Sequence, residues 1–518
     1  MSYRSRTAYS VMNVGVSLGG YIVNTLLGFI CRMVFVRCLP AEYLGINGLF
    51  TNILSMLSLA DLGIGTAIVY ALYKPLAEQD NEKVASLMKF YSSAYRVIGC
   101  IVAIVGLCLL PFLKFIIGET PDIKENIYII YIVYLFNTCL TYFFSYRGSL
   151  LVAAQRNYVQ TGVSYVITIL QSIIQIVILQ VTHEYFFYLG IQTIGTFIYN
   201  IIISKWAKHD YPYITNKDIK PLLKNEKASL IKNVKALTIN KITDLLVNST
   251  DNIIISYFSG LGAVGAASNY TLLSSTLSSI TNQFFNGLTA SVGNLNATEN
   301  EQYRYAFFKI LQLANFFIFA WATLGIMFVS GDMVGLFFGS NYILPSNIPF
   351  VIALNFYIVT MQTAVNTYRS TMGLFRYGQY TLVFTATINL ALSLWLGKRW
   401  GLFGIYIATA IARILTNTWY LPYAVFKYGL KRNVAEYFKR YFQYALILII
   451  DGCFCYLLCT LCRFSYLINV ILKIIICSAV SILMFWIFFH RTTEYTFLKN
   501  KMKQIIKHII TRIKTGVI

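Results

Sequence analysis

The chain has 518 residues, of which 57% are hydrophobic and only 12% charged. A soluble domain of this length would carry about twice that charge fraction, so the soluble classes are excluded and a polytopic membrane protein is left. The net charge is +22, from 42 Lys and Arg against 20 Asp and Glu, and its placement reads as topology signal and attraction to anionic lipid rather than nucleic-acid binding.

A bilayer span needs about 20 mostly apolar residues. Fourteen such runs are read. The first six lie near 9–36, 44–72, 84–112, 127–146, 158–181 and 185–204. The next six lie near 232–257, 263–293, 305–330, 346–368, 377–396 and 401–424, and the last two near 441–462 and 466–490. The first run is too long for a signal h-region, so no cleavable signal is read. The eighth run, SNYTLLSSTLSSITNQFFNGLTASVG, interleaves small polar residues with Leu, Ile and Phe. It is expected to line a wet cavity rather than form a polar loop.

With the N-terminus inside, only Arg37, Lys114, Lys124, Lys398, Arg399 and Arg463 fall in outside loops. The inside loops and termini hold most of the other Lys and Arg, which puts both termini in the cytoplasm. In the tail after 490, Leu498, Met502, Ile505, Ile506, Ile509 and Ile513 recur at helical spacing, with Lys and Arg on the other face. That pattern predicts a helix lying on the cytoplasmic leaflet.

Two inside stretches resemble each other, SYRGSLLVAAQRNY at 145–158 and TYRSTMGLFRYG at 367–378. Arg147 and Arg369 are 222 residues apart; Lys89 and Lys309, and the segments YLGI (43–46) and AVGA (263–266), are each 220 apart. Spans one to six and seven to twelve therefore read as two parallel copies. The expected division is an N-terminal lobe over 1–204, a cytoplasmic linker over 205–231 and a C-terminal lobe over 232–424. Spans thirteen and fourteen follow over 425–490, and a basic amphipathic tail over 491–518. Two parallel copies imply a transporter with a central cavity between lobes.

Nine ionisable residues fall well inside spans: Arg32, Asp61, Arg96, Lys241, Asp244, Asp251, Arg413, Asp451 and Lys473. A charge at the centre of a membrane helix costs about 2.5–3.5 kcal/mol on insertion scales, so each faces a cavity or a partner. The bland reading is a structural pair that locks two helices. On the seventh span, Lys241, Asp244, Asn248 and Asp251 share a wedge of about 80°. On the first, Asn13, Ser17, Asn24 and Arg32 lie within about 100°. Arg32 and Asp251 map to matching depths under the 220-residue offset and are expected to face the cavity from opposite lobes.

Arginine suits a phosphate, because its planar fork stays charged and binds oxygens in pairs. Arg32, Arg96, Lys241, Arg413, Asn24 and Asn248 are therefore the substrate-binding candidates. Asp61, Asp244, Asp251, Arg147 and Arg369 are the coupling or gating candidates, a carboxylate being suited to a coupling cation. Asp61, within SLADLGIGTAIVYALYKPLAEQ, precedes Gly63 and Gly65, where the helix can bend. The alternative is that it only neutralises an arginine. Asp451 and Lys473 are expected to pair with each other. Cys455, Cys459 and Cys462 share a helical face; lipid-facing packing is preferred to a metal site. His183, His209, His490 and His508 lie outside the span interiors, and there is no HExxH, GxSxG or P-loop. No enzyme, cofactor or metal is expected.

Several segments resemble the polysaccharide-transport branch of the multidrug/oligosaccharidyl-lipid/polysaccharide flippase superfamily. The most specific is LGINGLFTNILSMLSLADLGIGTAIVYALYKPLAE at 44–78; the next is STDNIIISYFSGLGAVGAASNY at 249–270. The resemblance implies a Wzx-type flippase that moves undecaprenyl-pyrophosphate-linked sugar units across the bacterial cytoplasmic membrane for O-antigen, capsule or exopolysaccharide. It implies an all-α polytopic fold, two six-helix lobes in a V with two extra helices, as in lipid II flippases and multidrug antiporters. Alternating access, a monomer, and a polysaccharide polymerase and chain-length regulator as partners are also implied. The competing reading is a cation-coupled small-molecule antiporter of the same superfamily.

Overall fold

The computed structural model describes residues 6–57, 64–117, 123–154, 156–216, 219–222, 224–374, 377–378, 380–501 and 503. Side chains are described there except at 6–19, 21–22, 66–67, 70, 74, 77, 224–225, 229, 232–249, 283–284, 286–291, 294 and 297–298. Among these residues the architecture is all-α. The first helices are α1 (Arg6–Cys38), α2 (Ala41–Leu57), α3 (Ile64–Ala77), α4 (Asn81–Cys108), α5 (Leu113–Ile117) and α6 (Ile127–Phe144). Next come α7 (Gly148–Ala153), α8 (Asn157–Thr182), α9 (Tyr185–Asp210), α10 (Lys224–Thr298), α11 (Glu301–Phe338) and α12 (Asn347–Thr360). The chain closes with α13 (Thr363–Thr371), α14 (Thr381–Leu415), α15 (Asn417–Ala424), α16 (Ala435–Cys459) and α17 (Tyr466–Phe489).

Each of the fourteen expected spans falls on one or two of these helices. Helices are what apolar runs must form in lipid, where no water satisfies the backbone. Among the described residues, nine are long and apolar enough to cross a membrane. The first, second, seventh, eighth and eleventh expected spans include residues outside the described backbone or side chains. Helix α10 carries spans seven and eight and turns at Gly260 (φ 80°, ψ 167°); α14 carries eleven and twelve and turns at Gly401 (φ 54°, ψ −135°). Both turns use a backbone region that glycine enters without Cβ strain. Within the eighth span, hydroxyls find their own backbone. Ser274 donates to the Tyr270 carbonyl at 3.0 Å and Thr281 to that of Leu277 at 2.8 Å. A polar-looking run thus remains a helix.

The chain divides into two compact units, 1–266 and 267–518. In the first, α1 packs on α8, α8 on α9 and α4 on α6. A tyrosine cluster ties α2, α6 and α9: Tyr134 and Tyr185 share a hydrogen bond of 2.9 Å, and Tyr185 lies 4.8 Å from Tyr43, ring to ring. Tyr43 in turn donates to Glu125. The linker is bound to the start of α4. Lys220 pairs with Glu82 at 2.7 Å, Glu226 with Lys83, and Lys89 donates to the Ile219 carbonyl at 3.0 Å. Around the YLGI and AVGA segments the two helices meet backbone to backbone, Gly45 against Leu261 and Gly265 against Ala41 and Gly45.

In the second unit α11 packs on α12 and α17, α12 on α14, and α16 on α17. Buried polar stitches hold them: Asn389 to Thr409 at 2.8 Å, Thr385 to Thr416 at 2.6 Å and Asn315 to the Thr360 carbonyl at 3.2 Å. Such bonds join helices where lipid offers no hydrophobic drive between them.

Two expectations are corrected here. Asp451 and Lys473 do not pair. Lys473 bonds Asp332 of α11 at 2.6 Å, and Asp451 accepts from Ser481 at 2.8 Å and from the Cys455 thiol. The hairpin of α16 and α17 is antiparallel, so Ser481 faces Asp451 and Lys473 lies eight residues nearer the turn, about 12 Å along the axis. Nor do two of the three thiols face lipid. Cys455 and Cys459 are buried against Cys477 of α17. Among the described residues no group of three His, Cys, Asp or Glu is arranged to hold a metal ion.

Beyond α17, Glu494 is buried and accepts from Arg440 at 3.0 Å, with Lys309 at 3.7 Å. Burial alone would raise its carboxyl. Hydrogen bonds from its own amide, Arg440 and Thr493 outweigh that and hold it below the ordinary carboxylate range. The stability this carboxylate contributes is full above the unfolded value of about 4.3. It is lost as pH falls through the lower folded value. Melting of the wild type is expected to fall more steeply than that of Glu494→Gln between pH 6 and 3. Parallel pH curves would remove this role.

Candidate functional site

The candidate site was expected from charges in spans, so each is placed in turn. Arg32 is half-buried on α1, close enough to Tyr188 of α9 to act on it electrostatically. Around it Cys31 contacts Gln175, whose amide donates to the Tyr188 carbonyl at 3.1 Å. Phe35 packs against both Tyr185 and Tyr188. Two turns before Arg32, Asn24 has a buried Oδ1 without a hydrogen-bond partner among the described residues. Asp251 is half-buried on α10 and belongs to the same unit as Arg32.

Arg96 is exposed on α4 and donates to Ser92 at 3.2 Å, one turn back. A guanidinium has five N–H donors, so this bond leaves several for an anion. Arg413 behaves otherwise. It donates to the Asn355 Oδ1 at 3.2 Å, and Asn355 donates to the Tyr406 carbonyl at 2.8 Å. It therefore stitches α14 to α12.

The two matched arginines sit in short helical stretches between spans. Arg147 donates to Ser204 of α9 and lies 4.8 Å from the Tyr146 ring. Arg369 donates to the Leu374 carbonyl at 3.4 Å, closing the turn after α13. Nearby Arg156 neutralises Asp210, a carboxylate at the C-terminal end of α9, where the helix dipole disfavours it. Asp61 lies outside the described residues. Lys241, Asp244 and Asn248 lie on α10, but their side chains are outside the described set.

Several partners were missed in the sequence. Asp332 lies two residues past the expected ninth span but still within α11; its signal is a lone carboxylate one residue past Gly331 on a long apolar helix. Asn355, Ser204 and Glu125 carry no signal in a single sequence, because each matters only through the residue it meets.

The arrangement is a multi-pass helical membrane fold with cationic side chains set among its spans. Solved structures that resemble it include transporters. One is the lipid II flippase MurJ in an inward closed conformation, with a TM-score of 0.67 at 15% identity, covering 92% of this chain and 99% of that one. Another is an inward-facing multidrug resistance MATE family transporter of the MOP superfamily. It gives a TM-score of 0.58 at 14% identity, covering 79% and 95%. The fold is thus the one shared by flippases and multidrug transporters. The family described as polysaccharide biosynthesis protein matches residues 10–288, more than half of the chain, and the chain belongs to it. No curated protein matches.

Proposed function

We propose that this protein is a flippase for undecaprenyl-pyrophosphate-linked oligosaccharides in the bacterial cytoplasmic membrane. It carries them from the inner to the outer leaflet for O-antigen, capsule or exopolysaccharide assembly. Membership of the polysaccharide biosynthesis family over residues 10–288 is the observation that carries this reading. The chemistry agrees with it, since an anionic pyrophosphate calls for permanent cations at membrane depth.

Arg32 and Arg96 hold the pyrophosphate in this reading, with Lys241, Arg413, Asn24 and Asn248 lining the path. Asp61, Asp244 and Asp251 couple transport to an ion, and Arg147 and Arg369 gate it, by alternating access. Both termini are cytoplasmic, the basic segments rest on anionic lipid, and the chain works as a monomer beside a polymerase and a chain-length regulator. It is not an enzyme.

A leaflet assay in a strain lacking the protein tests this. A labelled lipid-linked oligosaccharide is expected to remain in the inner leaflet, with export restored by wild type and not by Arg32→Ala or Asp61→Asn. Normal export without the protein would sink the reading and leave a small-molecule antiporter in its place. Full rescue by both variants would keep the function and remove the two residue roles.

A further inference from the structure

The second unit holds a set of buried polar atoms that the described residues do not satisfy. Gln312 of α11 is 2% exposed, and neither its Oε1 nor its Nε2 has a hydrogen-bond partner. The hydroxyls of Tyr357 on α12 and Tyr437 on α16, at 4% and 1% exposure, are in the same condition. Asn315 donates to the Thr360 carbonyl, but its Oδ1 accepts nothing. An unmade buried hydrogen bond is costly, and native interiors hold few.

These atoms sit on α11 and on the two helices, α12 and α16, that pack against it. Phe308, Gln312 and Phe316 are successive turns of one face of α11. Phe308 packs 6.3 Å from Tyr437, and Phe316 stacks 4.5 Å from Tyr444, so Gln312 lies between them on the face of α11 turned to α16. There Tyr441 lies 6.2 Å from Tyr357 and 5.9 Å from Tyr437. Asn315 enters from the α12 side of the same face of α11. Two phenols, a carboxamide and an amide oxygen are thus carried by helices that share one aromatic wall.

We propose that this is a buried hydration site, in which ordered water bridges Gln312, Asn315, Tyr357 and Tyr437 and so joins α16 to α11 and α12. A buried water makes about three hydrogen bonds, donating and accepting. The set matches that need: the phenols do both, the amide oxygens accept and the Gln312 Nε2 donates. A cation fits less well, because no carboxylate is among the four residues and the Nε2 donor opposes it. A sugar is excluded by access, since these side chains are at most 4% exposed.

The test is the melting of the purified full-length protein in sodium, potassium and choline chloride, with radiolytic footprinting alongside. Tyr357→Phe and Tyr437→Phe are each expected to melt lower than wild type, by about 2–4 °C. The double variant is expected to fall short of the sum, since the two hydroxyls share bridges. The three salts should give the same values. Footprinting should mark Tyr357 and Tyr437 but not Tyr368, which is equally buried and donates to the Arg304 carbonyl at 2.9 Å. Phe variants that melt unchanged or higher, with no labelling of Tyr357 and Tyr437, would show a dry site and overturn the proposal. So would a sodium- or potassium-specific rise in wild-type melting that Tyr437→Phe abolishes, which would make the occupant a cation.

Discussion

Lys473→Ala is expected to destabilise the protein by about 3 kcal/mol, the low end of the range for breaking a buried ion pair. Lys473 and Asp332 keep only 16% and 12% of their side-chain surface, and their charged atoms are 2.6 Å apart. Asp332 is held on its other oxygen by Asn469 at 3.1 Å, and Asn469 accepts from the Phe464 amide in the hairpin turn at 3.0 Å. One carboxylate thus fixes both the start of α17 and the turn before it. Removing the lysine leaves that carboxylate within apolar helices with no counter-charge, which is worse than never having had the pair. Asp332→Ala should be nearly as harmful, because it strands the ammonium. The double variant should recover much of the loss, since no isolated charge remains. Thermal melting of the three proteins checks this. If Lys473→Ala melts within a degree of wild type, the pair behaves as a surface ion pair, worth little, and the hairpin is held by packing alone.

The span positions were legible because a bilayer imposes one rule on every segment, and long apolar runs obey it wherever they sit. The breaks read between spans seven and eight and between eleven and twelve fall close to the turns at Gly260 and Gly401. What a single sequence does not carry is register between helices. Asp451 and Lys473 looked like partners because both lie in the last two spans. Their true partners, Ser481 and Asp332, follow from antiparallel alignment and from a third helix. The cysteines show the same gap. Helical periodicity put Cys455 and Cys459 on one face, but only packing decides that this face meets Cys477 rather than lipid. The candidate site was legible as a list of charges and not as an arrangement. Arg413 reads like Arg96 in the sequence, yet the first is bonded to Asn355 across a helix interface and the second is exposed.

The second large effect is expected at the glycines of the two matched segments. A Cβ added to Gly45 would stand 2.0 Å from the Leu261 carbonyl oxygen, and one added to Gly265 would stand 2.4 Å from that of Ala41. Both obstacles are backbone atoms of helices already in contact, so no side chain can swing away. Small residues at such crossings are what let membrane helices approach this closely. Gly45→Ala and Gly265→Ala must push α2 away from the α10 corner, and each is expected to lose about 3 kcal/mol, the top of the usual range for overpacking. The controls are Gly28→Ala and Gly325→Ala. Neither glycine has anything within 4 Å of an added Cβ, and alanine is the better helix former by about 1 kcal/mol, so both should melt at or above wild type. Chemically the four substitutions are identical and all add one methyl group within a helix. A clear split between the pairs would locate the close approach at the YLGI and AVGA segments. If all four melt alike, the backbone contact gives way easily, and glycine at 45 and 265 has no packing reason to be there.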